Sequence, residues 1–453
     1  MNNIKYLKIN LPEDISILKS RGNFDDALSL INMRIKKDIP EVLKKKLECE
    51  KSIIAELKKE YIYTFDDAFS LAQSKINNFT KEELDKFKDN GYADWILVNG
   101  KIKFHRRFLE NIIKNYPDIN KRLINKSDID DDSQEDKLLD DTINKIQTNG
   151  KCAYYFHIKA SVKVKNTAFE PEKAIKVHIP IPALCQQVKN IKIIKTSPIA
   201  KFISKEDYPQ RTAYFEKESA KDDKFSVEYS YENHVDYKKL DYNNVSSSQP
   251  DFYTNELEPQ IMFTPYIKEL SNEIVGNKKN PLAKARKIYD FVTTKVMYSY
   301  MREYLTIENI PEYAALNLKG DCGVQSLLFI TLCRCAKIPA RWQSGLFVTP
   351  YFIGSHDWSQ FYIAPYGWLF ADCSFGGSAF RKKSKKRWDF YFGNIDPFRM
   401  IANSEFQYDF MPEKNFLRAD PYDNQRGECE YEDRGLCYDE FESEREIIDV
   451  HQI

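Results

Sequence analysis

The spacing of apolar residues changes period three times along this 453-residue chain, and that alternation restricts the fold more than any single motif. Up to about residue 125 the spacing is helical. Leu28, Leu30, Ile31, Met33 and Ile35 recur among charges, as do Leu43, Leu47, Ile53, Ile54 and Leu57, and Phe104, Phe108, Ile112 and Ile113 make a further stripe. Thr80, with Glu83 three residues on, predicts a capped helix start. From about 150 to 245 the period falls to two. Residues 154–164, 174–180 and 224–231 alternate, with Asn166, Pro171, Pro180 and Pro182 as breakers. A small antiparallel domain of sandwich type is expected there. From about 255 helices return: Leu282, Ala285, Ile288, Tyr289 and Val292 share one face, and a second helix runs over 325–336. Beyond Ile338 the chain reads as strand to about 408. Helices and strands segregated in this way make an α+β protein.

Four segments result. They are a helical N-terminal region with an acidic linker (1–145), a β-sandwich-like domain (150–245), a mixed α+β domain (255–408) and an acidic C-terminal tail (409–453). The acidic stretch 127–136 breaks the helical pattern and reads as a linker or exposed loop; a metal site is the lesser alternative, because no glycine stands where a calcium loop needs one. The tail is expected to be partly extended, or wrapped over the core through Tyr422, Tyr431, Tyr438 and Phe441. Six of the seven residues from Arg381 to Arg387 are basic. A solvated loop is the simplest reading; the alternatives are a patch for an acidic substrate or nucleic acid, and pairing with the tail's Glu428, Glu430, Glu432 and Asp433.

Composition excludes several classes. Lys plus Arg and Asp plus Glu both number 68, so no global basic excess exists to neutralise phosphates and no nucleic-acid partner is expected. Nine cysteines in a chain of this length do not form a disulfide framework. Cys333 and Cys335 are two apart on a helix and face different ways. Cys429 and Cys437, and likewise His157 and His178, lack further ligands at metal spacing. There is no HExxH and no glycine-rich phosphate cradle, so neither metal nor cofactor is expected. Residues 1–18 lack an apolar signal core, and no apolar run reaches bilayer length. The expectation is a cytoplasmic protein without membrane contact; the oligomeric state is left open.

Three residues carry chemistry. Cys322 follows a Gly-Asp turn and opens an amphipathic helix. A thiol there feels the positive end of the helix dipole and the unpaired N–H groups of the first turn, which favour thiolate and can hold an oxyanion. His356 begins a strand-like run that ends at the Ala364-Pro365-Tyr366-Gly367 turn, and the chain returns through Trp368 to Asp372. That hairpin sets Asp372 roughly opposite His356, where a carboxylate orients an imidazole. Asp357, next to His356, points to the other face of the strand and is not expected to reach the ring. The set supplies a nucleophile, a base and an orienter.

Gly320-Asp321-Cys322-Gly323, then Ala336-Lys337-Ile338-Pro339-Ala340-Arg341, His356-x-Trp358, Gly367-Trp368 and Asp372-x-Ser374-x-Gly376, together resemble the transglutaminase-like superfamily over about 255–405. The resemblance implies a papain-like α+β core, preceded by a β-sandwich-like domain. It further implies a Cys322–His356–Asp372 triad working through a thioester acyl-enzyme on a peptide or protein substrate, by hydrolysis or by transfer to an amine. The alternatives are a protein-glutamine transglutaminase and a non-catalytic binding or scaffold protein with an idle core. Cys373 stands where the family often has Pro, and Lys337 where Gly is common. Paired CxxC motifs, found in the family's glycan-cleaving members, are absent. Tyr298, Gly323 and Trp358 are the further candidates, for the oxyanion site and the walls of the cleft.

Overall fold

The computed structural model describes residues 4–125 and 133–453. Most of the acidic stretch, 127–132, lies outside the described residues.

The N-terminal region is mainly helical, as the spacing predicts. Thr80 and Glu83 form a reciprocal capping box on helix Lys81–Asp89, and Thr64 with Asp67 forms a second on Phe65–Lys75. The region also contains a three-stranded antiparallel sheet, in the order Tyr61–Tyr63, Lys101–His105, Trp95–Val98, which corrects the all-helical reading. The cause is Asn99-Gly100. Both residues take positive φ, +49° and +78°, and make the two-residue turn that suits the twist of a hairpin. Phe104 therefore sits on a strand and Phe108 on the following helix, yet both fill one core with Ala68, Ala72 and Ile112.

The middle domain is a pair of four-stranded sheets. One runs Phe441–Gln452, Lys151–Val164, Lys224–Asp236, Val188–Ser197; the other runs Glu428–Tyr431, Ala174–Pro180, Thr212–Glu218, Phe202–Ile203. An edge strand of each sheet comes from the segment read as an acidic tail, so that segment is part of the sandwich. Tyr422, Tyr431 and Phe441 are buried, in keeping with the expected wrapping over the core. The acidic composition has a physical reason. An edge strand with one wet face carries alternating charges, here Glu442, Glu444 and Glu446, which also block pairing with other chains.

The third unit is a five-stranded antiparallel sheet in the order Phe392–Gly393, Gly367–Ala371, Ile353–Ile363, Ala340–Val348, Arg399–Asn403. Helix Cys322–Cys335 packs on it through Phe329 against Phe361, with ring centroids 5.8 Å apart, and is buried from Gly323 to Arg334. The stretch after Asp372 departs from the strand reading: it forms helices Cys373–Arg381 and Lys385–Phe390. Asp372 starts the first as its N-cap, and a Cβ on Gly376 would meet the Tyr289 hydroxyl at 1.9 Å, which explains the glycine of that motif. The basic run joins these two helices and is not merely solvated. Lys382 and Arg387 pair with Asp136 at 2.8 and 2.5 Å, and Arg387 with Asp140 at 3.1 Å. The partner is thus helix Ser133–Asn149, whose Leu139, Ile143 and Ile146 join the same core as both later domains. Among the described residues no helix is long and apolar enough to cross a membrane.

Candidate active site

His356 and Asp372 meet. The hairpin places Ala371 opposite Ser359, so Asp372 follows diagonally from His356, and its Oδ2 lies 2.8 Å from His356 Nε2. Oδ1 meanwhile accepts the Phe375 N–H at 3.0 Å, which ties the carboxylate to a helix start. The imidazole is packed between Phe375, at a centroid distance of 4.8 Å, and Trp358, at 5.9 Å. A residue missed in the sequence completes this side. Arg399, wholly buried, donates to Asp372 Oδ2 at 2.9 Å and to Asp396 Oδ1 at 3.1 Å, with its guanidinium over Phe375 and Phe347. Burial works against the charge on Asp372, but His356 and Arg399 outweigh it and bring the carboxyl down to about 2. Asp372 is therefore ionised. It accepts the Nε2 proton, and Nδ1 is left as the basic nitrogen of His356.

Cys322 opens its helix as expected, but its environment differs. The thiol donates to Asp357 Oδ2 at 3.2 Å, and among the described residues no hydrogen bond joins it to His356. Asp321 caps the helix by accepting the Val324 N–H at 3.1 Å, and it also accepts from the Tyr304 hydroxyl at 2.6 Å. Burial raises the Asp321 carboxyl to about 6 against these two donors. Burial, then Asp357 and Asp321, push the Cys322 thiol well above its usual range. The helix end was expected to lower it; burial and the neighbouring Asp357 and Asp321 carboxyls prevail.

The remaining candidates separate. Gly323 belongs to the site: a Cβ there would lie 2.2 Å from the Tyr304 hydroxyl and 2.8 Å from Asp357 Oδ2, so only glycine fits. Tyr298 borders the same pocket; burial raises its phenol, with Cys322 and Asp321 next among the causes. Its carbonyl accepts from Asn115 of the N-terminal region at 2.8 Å. Trp358 is not an exposed cleft wall. It is fully buried, donates from Nε1 to Gln343 at 2.8 Å and supports the imidazole from behind. Besides Arg399, the residues not foreseen are Tyr304, Gln425 and, at the thiol, Asp357. Strand alternation already separates Asp357 from His356; which of the two meets the helix depends on how the helix docks.

Residues 268–373 match the family model described as the transglutaminase-like superfamily. This is a transglutaminase-like core. The matched segment is less than a quarter of the chain, and Cys322, His356 and Asp372 all fall inside it. It supports cysteine-based acyl chemistry for the core. Among solved structures, one described as a "putative cysteine protease" from Cytophaga hutchinsonii is similar at 12% identity and a TM-score of 0.42, over 66% of this chain and 91% of that one. The periplasmic domain of TgpA from Pseudomonas aeruginosa is similar at 11% identity and a TM-score of 0.27, over 55% and 95% of the two chains. The same domain bound to ethylmercury gives 11%, 0.25, 51% and 93%. Among curated proteins nothing matches the chain.

Proposed function

We propose that the transglutaminase-like core cleaves or transfers an amide acyl group of a peptide or protein through Cys322, His356 and Asp372. Cys322 Sγ attacks the carbonyl carbon while its proton passes to His356 Nδ1. Asp372, held ionised by Arg399, faces the imidazolium across Nε2. The N–H groups of the first helical turn at Cys322 and Gly323, which have no partner within the helix, receive the oxyanion. Collapse expels the amine with the proton from His356 and leaves a thioester on Cys322. Water, or a primary amine, then attacks the thioester with His356 again as base. None of these steps uses a metal or cofactor.

The supporting observation is the 2.8 Å bond between His356 and a carboxylate kept ionised at about 2, with Cys322 at a helix start bonded to the residue next to His356. The rival reading, an idle core used for binding, also has an observation in its favour: the resting thiol is bonded to Asp357 and not to His356. Substrate profiling with peptides, with and without an added primary amine, decides between them. Turnover that vanishes in Cys322→Ala supports the enzyme, and an amine-dependent adduct marks transfer over hydrolysis. Equal background rates in both proteins support the idle core.

A further inference from the structure

The Cys322 thiol donates to Asp357 Oδ2 at 3.2 Å. The other oxygen, Oδ1, accepts from Gln425 Nε2, which also donates to the His356 carbonyl at 3.0 Å. Both carboxyl oxygens thus accept, while burial, with Asp423 and Asp321 beside it, holds the Asp357 carboxyl well above the ordinary carboxylate range. Gln425 is fixed in turn: its own carbonyl accepts from Arg445 on the last strand, and Arg445 also reaches Ser355 Oγ at 3.3 Å. The C-terminal segment is in this way fastened to His356 and to its neighbours Ser355 and Asp357.

We propose that Asp357 is a positioning residue that latches the resting Cys322 thiol, keeping it protonated and turned from His356 until substrate enters. The proposal rests on the reading of Cys322 as nucleophile. The surroundings favour the latch. Asp321 faces the pair from the helix start, Tyr304 from the short turn Tyr304–Thr306, Tyr298 from the short strand Met297–Tyr298, and Asp420 and Asp423 from the C-terminal loop. Arg418 lies near that loop, donates to the carbonyls of Tyr408 and Asp423 and favours the ionised forms of Asp420 and Asp423, against which burial prevails, and among the described residues no salt bridge reaches Asp321, Asp357, Asp420 or Asp423. A thiolate 3.2 Å from Asp357 Oδ2 would face an acceptor where the S–H now donates, and burial works against its charge, so the proton stays on sulfur. On activation the S–H leaves Oδ2, the S–H bond breaks as an N–H bond forms at His356 Nδ1, and the sulfur electron pair is freed for attack. Asp357 keeps its own protonation state throughout.

The test is the rate of Cys322 alkylation by iodoacetamide against pH, read by peptide mass spectrometry on the full-length protein. Asp357→Asn keeps the shape and puts an amide, which can donate an N–H to sulfur, where a carboxyl oxygen accepts the S–H. It should label about ten-fold faster near neutral pH, with the midpoint lowered by about one unit, the scale of a hydrogen bond that favours the charged form. Gln425→Ala strips the donor from Oδ1 and leaves Oδ2 the stronger acceptor, so it should move the midpoint up and slow labelling. Opposite shifts in two variants are not what simple loosening produces. An Asp357→Asn profile superimposable on the parent overturns the latch, and so does faster labelling in both variants with falling melting temperature. Should Asp357→Asn not fold, the upward shift in Gln425→Ala carries the test, and an unchanged midpoint there overturns the latch. His356→Ala reports separately on the underlying reading. If Cys322 then labels at the parental rate, the nucleophile assignment falls and takes the latch with it.

Discussion

Asp321 and Asp372 do the same local work. Each is the N-cap of a helix, Asp372 buried and Asp321 half-buried, and each accepts a backbone N–H three residues on, at 3.1 and 3.0 Å. Yet Asp372 is brought down to about 2 and Asp321 is raised to about 6. Burial is the largest influence on both, so the difference comes from the neighbours. Asp372 faces His356 and the guanidinium of Arg399; Asp321 faces a phenol and, beyond it, Cys322 and Asp357. The two halves of the site are built on opposite electrostatic plans, one compensated and one acidic. The strand Ile353–Ile363 divides them between adjacent residues, His356 and Asp357. A base needs a fixed ion to stabilise its protonated form, whereas a nucleophile held in reserve is kept neutral by withholding such an ion.

The largest effect expected is from the nucleophile. Cys322→Ala should abolish turnover while leaving the melting temperature within a few degrees of the parent; retained turnover would place the chemistry on another residue. Next comes the compensated half. Asp372→Asn should lower kcat by about ten-thousand-fold, through the wrong imidazole tautomer. It will not be structurally silent, because Arg399 keeps only Asp396 as its buried counter-ion. A loss of up to about 3 kcal/mol of stability is expected, toward the lower end for a broken buried pair. Stability measured by denaturant at several pH values, together with steady-state rates, checks both. The same substitution at Asp357 should leave the tautomer alone, so a larger rate loss in Asp357→Asn than in Asp372→Asn would reverse the roles of the two halves.

The pH dependence of stability separates the halves without an assay. Asp372 lies below its ordinary 3.8, so its contribution is present above that value and is lost as pH falls toward about 2. Asp321 lies above 3.8, so it costs stability as pH rises from there through about 6. Each shift of about two units corresponds to about 3 kcal/mol at most. Asp321→Asn should flatten the curve between about 4 and 6, and Asp372→Asn should flatten it below 4. The same slope change from both variants would dissolve the contrast. The smallest effect belongs to the basic run. Changing Lys382 and Lys386 to Ser should cost less than about 1 kcal/mol, shrink further in salt and leave Cys322 labelling untouched, because both lysines are exposed and face Asp136 and Asn144, away from the site.

Much of the plan is readable from local pattern. The changes of period locate the sandwich and the core; the Gly-Asp turn before Cys322 and the Pro365 hairpin place the three candidate residues on their elements. The hairpin alone is enough to bring His356 to Asp372. Other features depend on contacts far apart in sequence. Arg399 reaches Asp372 from a strand on the other side of the sheet, and Gln425 reaches His356 from the loop that leads back to the sandwich. Neither carries a local signal. The meeting of Asp357 with Cys322 turns on the docking face of a helix, which periodicity leaves free. Asn99-Gly100 is different: its hairpin signal is present in the sequence and is obscured only by the helices around it. The last strand was hidden by composition, since Glu442, Glu444 and Glu446 look like a tail until Lys151–Val164 is seen beside them.

The central claim is that Cys322 forms an acyl-enzyme with His356 as base, and trapping that intermediate tests it most directly. The protein is mixed with p-nitrophenyl acetate, quenched in acid within seconds and mapped by mass spectrometry, with hydroxylamine treatment in parallel. A hydroxylamine-labile acetyl group on Cys322, lost in Cys322→Ala and much reduced in His356→Ala, is the result expected. Acetyl spread evenly over other cysteines and lysines, or undiminished on Cys322 when His356 is removed, would contradict it.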